Sequence, residues 1–379
     1  MMERLQHRLL LSSPTMHREE MRYIQEAFDR NWIAPLGFNV DSFEDEMVHY
    51  LTRGTSELHA LALSSGSAAL HLAVKLAGVK PGDIVLCSDM TFAATVNPVS
   101  YEGGVQVFID SERDTWNMDP EALELAFQKY PQAKVAVIVH LYGTPSKIDE
   151  ISAICEKHGA ILIEDAAESL SATYKGRQTG AFGQYGALSF NGNKIITTSG
   201  GGMLLTQDAI SRNKAFFWST QAREPTPWYQ HKEIGYNYRM SNVVAGIGRG
   251  QLIHLNEHRS LKERIYRRYE EGFKGLPMSM NPYEKQHAVP NFWLSCMLIE
   301  EGPDPMDVFN RLNELNVETR PIWKPMHMQP VFADRDFITV EDTPVDEDIF
   351  ARGLCLPSDI KMNDAEQQFV IEAIRDMFR

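Results

Sequence analysis

Between residues 58 and 210, short apolar runs alternate with helical patterns, and this alternation restricts the fold more than any other feature of the chain. The runs fall at 60–64, 84–87, 106–109, 135–140, 161–164, 187–190 and 203–205. Helical spacing of apolar residues appears between several of them, at 67–77, at 119–130 and at 146–158. In the second of these, Asp119 is placed to cap the helix and Pro120 takes its first position. Runs this uniformly apolar are buried on both faces, and strand–helix alternation builds a mostly parallel sheet covered by helices. The expected fold is therefore α/β, with a mostly parallel seven-stranded sheet in a large domain and a smaller α+β domain after it. Ligands of such sheets bind beyond the C-terminal ends of the strands.

The flanking segments complete the organisation. Residues 17–30 carry Met21, Ile24 and Phe28 on one helical face, a loop follows at 31–37, and a second helix is expected around 43–51. Residues 241–273 read as one long helix leading into the C-terminal part, where 292–298 is strand-like and 305–315 and 364–378 are helical. The expected division is an N-terminal extension at 1–10, a large domain at 11–250 and a small domain at 251–379. A formal net charge of −14 argues against a nucleic-acid partner, because phosphate backbones call for a basic face. It leaves room for a local anion seat. The four cysteines, Cys87, Cys155, Cys296 and Cys355, have no metal-ligand spacing, so no metal site is expected and the thiols are read as reduced in a cytoplasmic setting. The Leu9-Leu10-Leu11 run is too short for a signal peptide, and no window has the length of a membrane span.

Five stretches carry potential chemistry. Ser64-Ser65-Gly66-Ser67 follows a strand and opens a helix, where exposed N–H groups and the helix dipole suit a phosphate, or where a serine simply caps the helix. Asp165 and Glu168 lie at the end of the run 161–164. An aspartate there can hold a proton on a ring nitrogen, or cap a following helix. Phe92 lies in a loop after a strand, suited to stacking on an aromatic ring or to core packing. Ser189 and Lys194 flank a turn of small polar residues that leads to Gly200-Gly201-Gly202, surroundings in which a lysine amine can engage an aldehyde or remain solvated. Gly235-Tyr236-Asn237-Tyr238-Arg239 is a polar aromatic turn before the long helix. Anion seat, ring-stacking aromatic, strand-end aspartate and Ser…Lys pair occur in chain order. Together they supply what pyridoxal 5′-phosphate requires.

On these residues the chain resembles the DegT/DnrJ/EryC1/StrS nucleotide-sugar aminotransferases, pyridoxal phosphate enzymes of fold type I. The likeness runs from Ile33-Ala34-Pro35-Leu36-Gly37 to Arg320-Pro321-Ile322-Trp323-Lys324-Pro325-Met326-His327. Two blocks, Asn191-Gly192-Asn193-Lys194-Ile195-Ile196-Thr197-Thr198-Ser199-Gly200-Gly201-Gly202 and Ser219-Thr220-Gln221-Ala222-Arg223-Glu224, are close to the UDP-N-acetylbacillosamine-type transaminases. The resemblance implies Lys194 as the Schiff-base lysine, Asp165 as the pyridinium partner and Phe92 as the ring-stacking residue. It implies phosphate contacts from Ser189 and the Gly66-Ser67 backbone, and from Asn237 across a homodimer with shared active sites. Arg239, Lys324 and His327 match regions near the sugar nucleotide. Many members carry Gln or His where this chain has Glu168, and a glutamic acid donates a hydrogen bond only when protonated. They also carry Glu where it has Ser199.

The implied activity is transfer of an amino group from L-glutamate to C4 of a UDP-2-acetamido-4-keto-6-deoxy hexose. A GDP- or dTDP-linked or 3-keto sugar is the nearest alternative. A dehydratase on the same fold is less consistent with Lys194, which those relatives replace by histidine. A regulatory protein lacks support from any basic helix-turn-helix segment.

Overall fold

The computed structural model describes residues 2–55 and 57–379. The seven expected runs form seven strands: β1 (His59–Leu63), β2 (Ile84–Ser88), β3 (Val105–Ile109), β4 (Val135–Val139), β5 (Ile161–Asp165), β6 (Tyr185–Ser189) and β7 (Gly202–Thr206). They lie in the order β1-β7-β6-β5-β4-β2-β3. β7 runs antiparallel to both β1 and β6, and the pairs among β2 to β6 are parallel. The C-terminal ends of β1, β2, β5 and β6 therefore open on one edge of the sheet.

An eighth strand, Asp336–Ile338, pairs in parallel with β3. It covers what would otherwise be an unpaired edge of the sheet. It comes from the C-terminal third of the chain, so a single cut near 250 does not separate the two layers of structure. The short run at 336–338 carries no local signal of its destination.

The helix Gly66–Leu76 lies on the sheet and buries Ala69, Leu70, Leu72, Ala73 and Val74 against residues that include Leu61, Val85 and Leu204. Burial of each leucine or valine contributes about 1.5–3 kcal/mol. The packing holds the helix N-terminus rigidly at the strand-end edge. Asp119 caps the helix Pro120–Lys129 as expected, its side chain accepting from the N–H of Glu121. The long helix expected over 241–273 is two helices, Asn242–Leu252 and Leu255–Gly272. At the break between them, His254 stacks on His17 with 3.5 Å between ring centroids and pairs with Glu19. These contacts reach into the N-terminal segment, and the helical spacing alone does not reveal them.

The C-terminal part builds an antiparallel sheet from Met278–Met280, Ser295–Ile299, Gly353–Leu356 and Arg320–Pro321. Its core includes Ile265, Tyr269, Val308, Leu312 and Ile374 from the surrounding helices. Leu9 is buried in the same core and bridges Val317, so the N-terminal segment packs here. No helix among the described residues is long and apolar enough to cross a membrane.

Candidate active site

A cavity of about 370 Å³ opens at the strand-end edge, and Gly66, Ser67, Phe92, Asp165, Glu168, Ser189 and Lys194 all line it. Four strand ends deliver these residues: Asp165 and Ser189 close their strands, and Gly66, Ser67, Phe92, Glu168 and Lys194 follow a strand within a few residues.

The anion seat is built first. Ser65 caps the helix, its Oγ accepting from the Ala68 N–H at 3.0 Å. The N–H groups of Gly66 and Ser67 are left at the positive end of the helix, which favours an anion. A Cβ at Gly66 would lie 3.0 Å from the Ser189 Cβ and 3.3 Å from its Oγ. Glycine at this position lets the Ser189 hydroxyl close on the helix N-terminus. Gly202, at the start of β7, passes so close that a Cβ there would lie 2.3 Å from the Gly66 nitrogen. The serine cap and a seat for an anion are thus compatible, since they use different atoms of one turn.

Asp165 ends β5, and no helix follows it. Its Oδ2 accepts from Thr95 Oγ1 at 2.6 Å and its Oδ1 from the Ala167 N–H at 3.0 Å. Burial raises its pKa, against these two donors and the Lys194 charge. Thr95 is itself held by Thr91 at 2.5 Å. A buried carboxylate with so few donors at the floor of a cavity suits a partner that brings its own proton and positive charge.

The Lys194 Nζ lies 3.5 Å from Glu168 Oε1 and 4.0 Å from the centre of the Trp293 ring. Its side chain is 13% exposed, far from the solvated-loop alternative. Burial pushes Glu168 up to about 7, opposed by the Lys194 charge and by the Tyr142 N–H that donates to its Oε2 at 2.8 Å. At that value both protonation states are populated near neutrality, so Glu168 can donate as well as accept. Phe92 is 59% exposed at the cavity wall, 5.5 Å from the Trp323 ring, which rules out core packing.

The remaining site residues expected from the resemblance lie outside this cavity. Arg239 is buried, with Nη1 donating to Glu44 Oε1 and to the Ala62 carbonyl at 2.8 Å. Glu44 is shared with Arg212, whose Nη2 lies 2.8 Å from its other oxygen, so the Arg239 guanidinium is engaged on one side within the fold and ties the segment before Asn242 to Ala62 and Glu44. Both ring nitrogens of His327 are occupied, Nδ1 by Asp89 at 2.5 Å and Nε2 by Glu347 at 3.2 Å. Burial works against its charge, but Asp89 outweighs burial and holds the imidazole above its usual pKa. Lys324 and Asn237 are exposed. Residues without a local sequence signal complete the cavity: Thr95, Trp293, Arg320 and Trp323. Arg320 and Trp323 fall within a stretch that resembles the family, Thr95 lies three residues after Phe92 in the helix Ala93–Tyr101, and Trp293 falls in the strand-like stretch 292–298.

The site thus combines an anion seat, a ring wall, a buried carboxylate and an amine beside an acid. These fit the phosphate, ring, ring nitrogen and aldehyde of pyridoxal phosphate. Residues 14–375 match the profile of the DegT/DnrJ/EryC1/StrS aminotransferase family. The chain belongs to this family. It is a pyridoxal phosphate-dependent aminotransferase of nucleotide sugars. EpsN of Bacillus subtilis (strain 168), which bears the name of a pyridoxal phosphate-dependent aminotransferase, is 48% identical over 98% of this chain and 96% of its own. The GDP-perosamine synthase of Caulobacter vibrioides is 34% identical over 97% of each chain. Among solved structures, DesI in the presence of its TDP-sugar product superposes with a TM-score of 0.88 at 26% identity, covering 98% of this chain and 93% of that one. This family member keeps its expected cofactor-binding residues around one cavity. Asn237 stands apart on the surface.

Proposed function

We propose that this aminotransferase moves an amino group from L-glutamate to C4 of a UDP-2-acetamido-4-keto-6-deoxy hexose, with Lys194 as the reacting amine. The observation that carries the catalytic assignment is the position of the Lys194 Nζ. It lies in the same cavity as Asp165 and the Gly66-Ser67 turn, 3.5 Å from Glu168. The UDP-sugar assignment is supported by the two blocks, 191–202 and 219–224, that resemble bacillosamine-type transaminases. The 34% identity with a GDP-perosamine synthase supports a GDP-linked 4-keto sugar as the second reading.

Pyridoxal phosphate, when bound, supplies an electron sink for the carbanion at the donor carbon. The chain's residues do the rest. Ser189 Oγ and the Gly66 and Ser67 N–H groups bind the phosphate. Asp165 holds the proton on the ring nitrogen. The Lys194 amine takes the proton from the donor Cα and returns one on the far side of the transfer. Glu168, near its own midpoint, donates to an oxygen of the ring or accepts from the amine. Phe92 covers a ring face. Exposed Asn237 is assigned to the phosphate of a second copy, in a homodimer with shared sites, and the enzyme is assigned to the cytoplasm.

The purified protein should be yellow, and L-glutamate should bleach it. Lys194→Arg should abolish turnover and the covalent capture of the cofactor by borohydride, and a variant that transaminated at the wild-type rate would refute the assignment. UDP-, GDP- and dTDP-linked 4-keto sugars should then be offered with glutamate and the products identified by mass spectrometry and NMR. Amination of the GDP sugar alone would overturn the UDP reading and leave the catalytic one standing.

A further inference from the structure

The turn that carries Lys194 is held from outside by side chains remote in sequence. The Asn193 carbonyl accepts two hydrogen bonds, from Trp293 Nε1 at 2.7 Å and from Ser12 Oγ at 2.9 Å. A hydroxyl has one proton to give. With that proton on Asn193, Ser12 Oγ must accept from its other neighbour, the Lys262 Nζ at 3.0 Å, which also donates to the Ser358 carbonyl at 2.7 Å. Lys262 is buried and plays no part in the chemistry above. The chain Lys262→Ser12→Asn193 therefore has a fixed direction and ends one residue from the reacting amine.

Ser12 belongs to a segment that the C-terminal part of the molecule grips on both sides. The Leu9 carbonyl accepts from the Glu318 N–H at 2.8 Å, and the Leu11 carbonyl from the Ser358 N–H at 2.8 Å. The Leu11 N–H donates to Glu318 Oε2 at 3.1 Å, Ser13 Oγ donates to Asp359, and Lys361 Nζ donates to the Pro14 carbonyl at 2.8 Å. Just beyond Lys194, His258 Nδ1 meets the Ile195 carbonyl at 2.8 Å, and the Thr197 N–H donates to Gln251 Oε1 at 3.2 Å. Gln251 Nε2 in turn donates to the Thr15 carbonyl at 2.8 Å.

We propose that residues 9–15 are a strap through which the C-terminal part of the molecule sets the position of the Lys194 turn, with Ser12 and Lys262 as positioning residues and Trp293 as the second clamp. The physical argument is the location of the contacts. A hydrogen bond to the backbone of the residue preceding the lysine restrains the origin of its side chain, while Trp293 also places its ring 4.0 Å from the amine. Loosening the clamp leaves the cofactor contacts intact but broadens the reach of Nζ, and sub-ångström placement is what catalytic geometry depends on.

The inference rests on the reading of Lys194 as the amine that engages the cofactor, so its test includes a control for that reading. Apoenzyme of wild type, Ser12→Ala, Ser12→Thr and Trp293→Phe is titrated with pyridoxal phosphate. The dissociation constant, the pH midpoint of the visible band and the melting temperature of the apoenzyme are measured. Ser12→Ala should weaken cofactor binding about threefold to tenfold, the range expected from one lost hydrogen bond. It should also displace the pH midpoint and lower kcat more than it changes KM. Ser12→Thr should restore all three. Trp293→Phe, which keeps a ring but loses the donor, should move the same quantities in the same direction. Unchanged binding and midpoint in Ser12→Ala would overturn the strap, as would losses that Ser12→Thr fails to repair. Shifts that only track a fall in apoenzyme melting temperature would overturn it too. In parallel, borohydride should fix the cofactor covalently to the wild-type chain at Lys194 and not to Lys194→Arg. If it fixes the cofactor to Lys194→Arg as well, the reading of Lys194 has failed, which is a different result from a silent Ser12→Ala.

Discussion

Glu164 and Asp165 are neighbours at the end of one strand, Glu168 follows three positions later, and all three are buried, yet they differ in proton affinity. Glu164 accepts from His140 Nε2 at 2.8 Å and from the N–H groups of Gly180 at 2.8 Å, Phe182 at 2.6 Å and Gly183 at 2.5 Å. Burial raises its pKa, but these donors outweigh burial and hold it below the usual value. Asp165 has two donors and is raised, and Glu168 is raised to about 7. Equal burial therefore leaves one carboxyl that loses its proton readily and two that hold theirs more tightly. What separates them is the number of donors aimed at each carboxylate. The Glu164 carboxylate sits on the backbone of residues 180–183 and does not line the cavity that Asp165 and Glu168 share.

This contrast can be broken at either end. Glu164→Ala strands His140 and three backbone N–H groups in the interior. It should lose about 3–5 kcal/mol of stability in urea denaturation, the cost of breaking a buried charged network. A loss below about 1 kcal/mol would mean that the donors do not define its role. Asp165→Asn should behave in the opposite way. Its stability should change little, because the amide carries no buried charge, while kcat falls on the order of 10²–10³-fold, as when a preorganised electrostatic partner is removed. Thr95→Val removes one of the two donors to Asp165. It should reduce kcat/KM by roughly tenfold, matching the loss of a hydrogen bond to a charged group.

Glu168 supplies the smallest effect and the most specific one. Its pKa rises from an ordinary 4.5 to about 7 in the folded chain. The native apoenzyme therefore holds more protons than the unfolded chain between those values, and this group's contribution to stability falls as pH rises through that window. Glu168→Gln should flatten the slope of apoenzyme stability between about pH 4.5 and 7. It should also remove any limb of the activity profile centred near pH 7. A variant with an unaltered slope would show that Glu168 does not titrate there.

Much of the fold was legible because it is written locally. All seven strands of the expected sheet are present, since continuous apolar runs between helical patterns have few other solutions. Asp119 capped the helix it was expected to cap, because capping depends on residues within one turn. That Gly66, Ser67, Asp165 and Ser189 would come together was legible for the same reason: they lie at or just beyond strand ends that open on one edge of the sheet. The burial of Arg239 was not legible, because proximity to a motif does not show whether a guanidinium is already paired. Glu44, its partner, lies 195 positions away in the chain. The strand Asp336–Ile338 was missed because three residues carry too little pattern to reveal that they pair with β3.

The sequence alone determined the class of fold, the edge of the sheet where chemistry occurs and the residue types gathered there. Each of these follows from periodicity and from the short-range rules of strands, turns and helix caps. The tertiary structure alone decided how each group is tuned and held. Burial and the number of donors separate Glu164 from Asp165 and Glu168, and no local spacing encodes either quantity. The clamp on Lys194 comes from Trp293, 100 positions away, and from Ser12, 181 positions away from the carbonyl that both of them bind. Such contacts exist only once two distant parts of the chain have packed together, so the reach of the lysine is a property of the fold and not of the turn that carries it.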